Sequence, residues 1–489
     1  MGLAIERSEF DEHDRARFDA RLQASLSALR TLLERPGFGE GPATIGAEVE
    51  LDLVDADGRP APRNRAVLAA THDPRITHEV DRFNVEINSN PVALAGRPFA
   101  ALHDDLAAAL AEVARAAATV AARPIAIGIL PTLREADLQG ALTEVHRYRA
   151  LSASLRKQRP GGFALHIAGE DTLDLVADDV TFEGANTSFQ LHLRVPPRQF
   201  APHHHAAQLA TAPVLALSGN APIFLGRRLW DETRIALFRQ SVDDRPQADD
   251  WRPARVSFGH GWVRHGAGEL FAESVALHEP LLPVCGDEDP IACLAAGGIP
   301  TLAELRLHHG TVWRWNRAVY DAAGRGHVRI ELRALPAGPT VVDMVANGAF
   351  LAGLVLALAP EAEHMIEGLT FSHARHNFYE AARHGPDATL LWPPRPGARA
   401  QPVGARELVA RLLPLAAQGL ERGGVAPDEA ARWLDVVAER NRAGITGARW
   451  QRAWFAALAR SSDDPSAALV QRYLAASATG APVHTWPMP

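Results

Sequence analysis

Apolar and polar residues alternate with a period of two in several short segments of the chain. The clearest is TIGAEVELDLVDADGRP, which starts at Thr44 and ends in a turn-forming Asp-Gly pair, as a strand entering a hairpin does. Five further strands are predicted over residues 83–88, 124–130, 162–167, 189–195 and 328–332. Because alternate side chains of a strand leave opposite faces, each of these strands has one apolar and one polar face.

Between and after these strands the apolar residues follow helical spacing. Residues 10–33 predict an amphipathic helix, and residues 99–122 and 206–217 predict alanine-rich helices. The most apolar run, residues 344–360, is shorter than the ~20 residues of a membrane span and contains Asn347 and two glycines, which favours a buried helix. Residues 405–475 carry only helical signals. The whole predicts an α+β protein with an N-terminal helix (1–40), a main domain (41–400) and a C-terminal helical region (401–489) packed on it.

The polar faces of the predicted strands carry acids. Glu48 and Glu50 stand two residues apart, so both carboxylates leave the same face of their strand. Glu86 occupies the same kind of position on a second strand. A solvated strand face is the alternative explanation for such acids, and an isolated Glu-x-Glu pair does not exclude it. If the face is covered, unpartnered charges there would cost several kcal/mol each.

Two more strands combine acids with other chemistry. Glu331 lies between Arg329 and Arg333 at two-residue steps, and Gln190 and His192 share one face of SFQLHLRV. A surface ion-pair ladder or a structural histidine explains each strand alone. Together, however, carboxylates and amides suit Mg²⁺, and arginine forks suit phosphate oxygens. We therefore expect Glu48, Glu50, Glu86 and Glu331 to converge on one divalent-cation site.

Composition narrows the function further. A net charge of -8 argues against a general affinity for nucleic acid or anionic membranes, so the partners are expected to be small molecules. Lys157 is the sole lysine, which excludes a Walker phosphate loop and leaves little room for Schiff-base chemistry. The two cysteines form neither a disulfide framework nor a zinc pattern, and no export signal precedes the first helix, which predicts a cytoplasmic protein. A homo-oligomer stays open.

The order of the motifs resembles the glutamate-cysteine ligase family of plants and bacteria, including its carboxylate-amine ligase relatives. The resemblance runs over roughly residues 44–455 and rests on the Glu-x-Glu strand, FNVEINSNP, HRYRAL, TSFQLHL, ALSGNAPIFLGRRLWDETR, HHGTVWRWNR, HVRIELRALPAGP and the later NRAGITGARWQR. It implies a glutamine-synthetase-type fold, in which helices pack on the convex face of a curved antiparallel sheet and the active site lies on the concave face.

The resemblance also implies a ligase dependent on ATP and Mg²⁺, which activates a carboxylate such as that of glutamate as an acyl phosphate and transfers it to an amine, giving a γ-glutamyl-type amide. The roles it implies are metal binding for Glu48, Glu50, Glu86, Gln190, His192 and Glu331, catalysis for Arg329, Glu331 and Arg333, nucleotide binding for His192, Arg234 and Arg333, and substrate binding for Asn186, Ser188 and Arg314. Two alternatives remain, a non-catalytic binding protein of the same fold and a metal-dependent hydrolase that uses the same acids.

Other polar clusters are weaker indications. The three histidines at 203–205 are expected in a solvated loop that leads into a helix, and His308 and His309 are open to a structural or a substrate-side role. Trp313 and Trp315 in HHGTVWRWNR depart from the usual family sequence. Packing is the favoured role for both. An indole that pointed into the cleft would instead favour an apolar amine over cysteine as the acceptor.

Overall fold

The structure is a computed structural model that describes residue 5 and residues 9–245 and 251–489. The strands in this part of the chain are β1 Thr44–Val54, β2 Ile76–His78, β3 Asn84–Asn88, β4 Val92–Ala93, β5 Arg123–Ile125, β6 Phe163–Ala168, β7 Thr172–Ala177, β8 Ser188–Arg194, β9 Ile223–Phe224, β10 Arg227–Arg228, β11 Val256–Ser257, β12 Trp313–Arg314, β13 Asn316–Asp321, β14 His327–Pro336, β15 Thr389–Trp392 and β16 Gln401–Gly404.

The α-helices of the same residues alternate with the strands at first and then follow one another. They are α1 Glu12–Glu34, α2 Asn64–Ala69, α3 Pro98–Ala118, α4 Glu135–Leu138, α5 His146–Gln158, α6 Thr181–Gly184, α7 Phe200–Ser218, α8 Arg234–Ser241, α9 Ala267–Leu277, α10 Pro290–Ala295, α11 Ala303–His309, α12 Val341–Leu358, α13 Ala362–Gly368, α14 Phe371–His384, α15 Ala405–Arg422, α16 Pro427–Ala443, α17 Gly447–Leu458 and α18 Pro465–Ser477.

One large antiparallel sheet organises the main domain. Its strands lie in the order β13-β14-β8-β1-β3-β2, and the short strands β4 and β5 also pair with β1. The central strands β14, β8 and β1 exchange hydrogen bonds along most of their length. This arrangement confirms the predicted α+β class and the antiparallel sheet. It places β1 and β14, which carry five of the predicted site residues, on either side of β8, which carries three.

The apolar face of the sheet is covered by helices. Phe189, Leu191 and Leu193 of β8 are fully buried there. Helix α12 crosses this face, and its Gly348 lies beside the Phe189 ring. Helix α7 packs beside α12 and against β14. With one face sealed, the polar side chains of the strands are left for the other face.

The predicted buried helix at residues 344–360 is confirmed as α12. Among the described residues, the stretch Val341–Gly368 is long and apolar enough to cross a bilayer by length and composition, but 83% of its most apolar window is buried inside the protein. This burial is that of a core helix. The C-terminal helices α15 and α16 pack directly on α12, so the predicted helical region does rest on the main domain. The boundaries of the three-part division stay a prediction.

Two expectations from the sequence are wrong. The strand predicted over 124–130 ends at Ile125, because the following residues bond to neighbouring loops: the Gly128 amide donates to the Asn220 carbonyl rather than to a strand. The histidines at 203–205 lie inside α7 and not in a loop. His204 and His205 are buried there, 3.3 Å from the Asn316 carbonyl and 2.7 Å from the Val263 carbonyl, and therefore act as packing residues.

Candidate active site

The carboxylates on the open face of the main sheet form two groups rather than one. Glu48, His192 and Glu331 make up the first, which we call the His192 group. Glu50, Glu79 and Glu86 make up the second, the Glu79 group. Within each group one ligand atom from every residue lies within 4.8 Å of the others. The convergence of the four acids on one cation site stays a prediction, and the structure divides them between two neighbouring candidate groups.

Strand register explains this division. Glu331 of β14 lies opposite His192 of β8. On the other side of β8, Gly46 of β1 lies opposite His192, and Glu48 lies opposite the neighbouring Gln190. One step along β1, Glu50 lies opposite Glu86 of β3 instead. Side chains two apart on β1 therefore point to the same face but reach different neighbours. Glu79 joins the second group from the turn that follows β2.

Cations compensate the His192 group. Arg317 Nε and Nη2 donate to the two oxygens of Glu331 at 2.8 and 2.9 Å, and Arg333 Nη1 lies 3.4 Å from Oε2. Burial alone would raise the pKa of Glu331, yet these two guanidinium groups hold it well below its ordinary value. Burial also opposes ionisation of Glu48, and the neighbouring imidazole of His192 outweighs it, so the pKa of Glu48 is lowered. Both carboxylates are therefore charged at neutral pH.

The imidazole of His192 lies between these two acids. Its Nε2 is buried, 3.1 Å from Glu48 Oε1 and 4.0 Å from Glu331 Oε1. Arg329 Nε donates to Nδ1 at 2.9 Å and also pairs with Asp321. In this state the ring proton is on Nε2. A cation bound at Nε2 would require the other tautomer, and Arg329 would then keep only its ion pair with Asp321.

The Glu79 group has weaker compensation, because arginines act on Glu50 and not on Glu79 or Glu86. Burial raises the pKa of Glu79 to about 8, with further repulsion from Glu50 and Glu183. The pKa of Glu86 is raised well above its ordinary value by burial and by the charges of Glu48, Glu79 and Glu50. For Glu50, burial again raises the pKa although Arg234 and Arg333 oppose it. Carboxylates that repel one another in this way need protons or a cation between them.

Arg333 reaches the site through an irregularity in its strand. The pairing between β14 and β8 shifts register between Leu332 and Leu335, and the Arg333 amide donates to the Trp315 carbonyl instead of to β8. Such a bulge changes the direction of a side chain relative to a regular strand. The Arg333 guanidinium lies 5.8 Å from the Phe238 ring centre and next to Glu331. The bulge thus directs a cation to the junction of the two groups.

Two clefts open beside the acids. The larger, of about 580 Å³, is lined by Glu48, Glu86, Arg317 and Glu331 on the sheet and by Arg306 on α11. The smaller, of about 340 Å³, lies towards the other end of β8, beside His192 and Arg194. Glu48 and Arg329 border both clefts. The His192 group therefore lies where two ligand-sized spaces meet.

Three predicted site residues lie at the Glu79 group in supporting positions. The Ser188 amide donates to Glu50 Oε2 at 2.7 Å, and Gln190 Nε2 donates to Glu50 Oε1 at 2.9 Å. Gln190 was predicted as a metal ligand, but in this geometry its amide nitrogen orients a carboxylate. Arg234 is buried, is held by Glu232 at 2.9 Å, and acts on Glu50 by its charge.

The structure places other predicted residues away from the acids. Arg314 is buried 2.8 Å from Glu273 and borders neither cleft, so its predicted substrate contact has no support in the geometry. Asn186 donates its amide to the Phe182 and Glu183 carbonyls. Trp313 and Trp315 are buried, each 5.8 Å from the Phe238 ring, which confirms the favoured packing role. His308 and His309 are held by the backbone carbonyls of Ser274 and Ala318, and His309 also borders the larger cleft.

Sequence reasoning missed three charged residues of the site. Glu79 precedes the short segment VDRF in an irregular turn, where no periodicity marks it. Arg317 lies on β13, and its alternation with the buried Ala318 and Tyr320 was a usable signal that the HHGTVWRWNR motif obscured. Glu183 on α6 has its pKa raised to about 8 by burial and by Glu50. All three lie outside the strands that the sequence predicted.

The side chains present fit divalent cations. Each group offers three ligand atoms within the span that one ion requires, and hard oxygen donors predominate. The buried Nε2 of His192 faces Glu48 and Glu331 without a well-aligned hydrogen bond to either, and the three acids of the Glu79 group repel one another. Both features disappear when a cation is bound. Nearby arginines add the charge needed to hold phosphate oxygens.

Comparisons with known proteins bear on the family and the fold of this chain. A model of glutamate-cysteine ligase family 2 (GCS2) matches residues 44–471. The glutamate-cysteine ligase of Francisella tularensis, solved in complex with AMP, aligns with 92% of this chain and 91% of its own at 10% identity and a TM-score of 0.55, and so has the same fold. A bifunctional glutathione synthetase from Pasteurella multocida aligns at 11% identity and a TM-score of 0.48 over 94% of this chain and 55% of its own. No curated protein matches.

Proposed function

The chain belongs to the glutamate-cysteine ligase family 2 and is a carboxylate-amine ligase, and from this premise we propose that it uses ATP and Mg²⁺ to form a γ-glutamyl-type amide through an acyl phosphate. The observation that carries the proposal is the pair of acid groups side by side on the open face of the sheet. Phosphoryl transfer from ATP needs divalent cations next to arginine side chains, and this face has both ligands for the cations and arginines beside them.

The residues that would hold the cations follow from the two groups. Glu48, His192 and Glu331 would hold one, and Glu50, Glu79 and Glu86 the other. The ions would neutralise the phosphate oxygens and polarise the phosphorus that is attacked. Gln190 and the Ser188 amide keep Glu50 turned towards its group. The protein itself supplies orientation and fixed charge in a largely covered site.

In the first step a carboxylate oxygen of the donor amino acid attacks the γ-phosphorus of ATP, the bond to the β-phosphate oxygen breaks, and ADP leaves. Arg333 lies at the junction of the two groups and would stabilise the oxygens of the transferred phosphoryl group. Arg317 and Arg329 are held by Glu331 and Asp321 and border the larger cleft, where they add fixed positive charge. No side-chain nucleophile is required.

In the second step the amine attacks the acyl carbon, phosphate leaves and the amine loses a proton. The two clefts that meet at Glu48 and Arg329 offer separate spaces for the nucleotide and the amino acids. Because both indoles pack in the core, the reason for disfavouring cysteine as acceptor is removed. The free cysteines Cys285 and Cys293 suit a reducing cytoplasm.

A screen of phosphate release tests the proposal. The purified chain is incubated with ATP, Mg²⁺, glutamate and a panel of amines that includes cysteine, and both phosphate and the amide product are measured. We expect phosphate and amide in equal amounts, only when donor, amine, ATP and Mg²⁺ are all present. Cleavage of an amide without ATP would instead identify a metal-dependent hydrolase. Nucleotide binding without turnover for any pair would support the non-catalytic alternative.

A further inference from the structure

Apart from the two clefts of the active site, a further cavity lies between α8, β6 and α14. It measures about 690 Å³, within the usual range for small-molecule sites, and shares no lining residue with the two clefts beside the acids. Five arginines line it against two acids, Asp243 and Glu380. We call it the α8 groove. On a chain with a net charge of -8, such a concentration of positive charge attracts anions.

The acids of the groove do not neutralise its arginines. Asp243 pairs with Arg245 at 2.7 Å and approaches Arg159 at 4.0 Å, and Glu380 approaches Arg383 at 3.9 Å. Within the described part of the chain, Arg239 and Arg375 form no ion pair, and both are exposed. Their guanidinium forks are therefore free to bind oxygen atoms of a ligand in pairs.

Aromatic rings hold two of these arginines in place. The Arg383 guanidinium lies 4.6 Å from the Trp230 ring centre, and that of Arg239 lies 5.8 Å from the Tyr379 ring centre. Stacking of this kind limits the freedom of the side chains while leaving their N–H groups available. The rings thus restrain the exposed side chains of Arg239 and Arg383, which lowers the entropy cost of binding a compact anion.

Helix α8 connects this groove with the active site. Arg239 and Gln240 at its end line the groove. On its other side, Arg234 acts on Glu50, and the Phe238 ring lies 5.8 Å from the Arg333 guanidinium. The helix has only eight residues, so a shift at Arg239 moves Phe238 as well. Occupancy of the groove can therefore change the position of Arg333.

We propose that the α8 groove binds a small polyanion, a phosphorylated or polycarboxylate metabolite, through Arg239, Arg375 and Arg383, and that α8 couples this binding to turnover. The site is independent of the acids that define the reaction. Its binding test therefore holds whether or not the proposed ligase activity is found.

Calorimetric titration of the full chain with pyrophosphate or with citrate, in metal-free buffer, tests the binding. The variants are Arg239→Gln/Arg375→Gln in the groove, Arg333→Gln in the active site, and Arg411→Gln/Arg442→Gln as a matched control among the exposed arginines of the C-terminal helices. We expect the groove variant to weaken binding at least tenfold, and the other two to stay within twofold of the wild type. The tighter of the two probes identifies the ligand class.

Equal affinity in the wild type and the groove variant would overturn the proposal, as would loss of binding in Arg333→Gln alone. Melting temperatures verify that the groove variant is folded, and the single variant Arg375→Gln gives a milder version of the same test. For the coupling, turnover is measured with and without the probe at constant free Mg²⁺. A change of at least twofold in the wild type only supports transmission through α8, and an equal response in both proteins contradicts it.

Discussion

The two acid groups of the active site have similar members but opposite electrostatics. In the His192 group, Arg317 and Arg333 approach Glu331, and the imidazole lies beside Glu48, so the carboxylates are stabilised in their charged form. In the Glu79 group three carboxylates face one another, and the pKa of Glu79 is raised to about 8 by burial and neighbouring acids. In the first group the carboxylate charges are compensated by the folded chain itself. The second group needs a proton or a cation.

This difference indicates distinct roles for the two groups. A compensated group keeps its geometry without metal, so it contributes to the stability of the sheet as well as to chemistry. An uncompensated group stores electrostatic repulsion, which a divalent cation relieves on binding. We therefore expect substitutions in the two groups to affect activity alike but stability in opposite directions.

The largest effect is expected from Glu331→Gln. This change leaves Arg317 and Arg333 without their buried counter-charge, and loss of one partner of such a network costs about 3–5 kcal/mol. Turnover should fall by at least about 100-fold as phosphate stabilisation is disturbed. Urea unfolding and phosphate release measure the two effects. An exposed control, Glu407→Gln, should change neither, and unaltered stability of Glu331→Gln would show that the compensation is unimportant.

Glu79→Gln should produce the opposite sign in stability. Removing one of three repelling carboxylates is expected to raise the free energy of unfolding of the metal-free protein by about 1–3 kcal/mol. Turnover should still fall strongly because a cation ligand is lost. The same urea series, run with and without Mg²⁺, should show that the variant gains less from Mg²⁺ than the wild type. Destabilisation comparable to that of Glu331→Gln would remove the contrast between the groups.

The pH dependence of the metal-free protein should follow the Glu79 group. The pKa of Glu79, about 8 in the folded state, exceeds its ordinary value of 4.5, so folding favours the protonated form of this carboxyl. The associated stability is complete below about pH 4.5 and is lost as the pH rises through 8. Unfolding free energy measured from pH 5 to 9 should therefore fall, less steeply in Glu79→Gln and with saturating Mg²⁺. A flat profile in the wild type would contradict the raised pKa.

The smallest effect is expected from exchanging arginine for lysine. Arg333→Lys keeps the charge but loses the two-pronged donor at the junction of the groups, and we expect turnover to fall by about tenfold. Arg329→Lys, at the edge of the site, should have a weaker effect. Phosphate release by the two variants makes the comparison. Equal rates would mean that Arg333 is no closer to the transferred phosphoryl group than Arg329.

Period-two alternation was enough to predict the polar face of the sheet. It placed Glu48, Glu50 and Glu86 on the polar faces of strands, and those strands are present in the structure. Alternation fixes which face a side chain leaves by, but not the register between strands. Register places Glu50 opposite Glu86 and Glu48 opposite Gln190, diagonal to His192. The division into two groups was therefore beyond reach of a single sequence.

Residues on irregular backbone could not be assigned to the site from the sequence, for a related reason. Glu79 lies beyond the end of β2, where neither helical nor strand spacing applies, and only the fold brings it to Glu50 and Glu86. Arg314 was drawn into the predicted site by the motif around it, yet the tertiary structure buries it against Glu273. Motif order identified the family, whereas side-chain positions depended on packing that the order does not encode.

The most direct experiment measures the binding of Mn²⁺ in place of Mg²⁺. It tests whether each acid group holds one divalent cation. Electron paramagnetic resonance counts the bound ions and detects their magnetic coupling at a separation of several ångströms, the range of two-metal sites. We expect two coupled ions per chain in the wild type and a single uncoupled ion in Glu79→Gln. Binding of no more than one ion by the wild type, or two coupled ions in Glu79→Gln, would contradict this expectation.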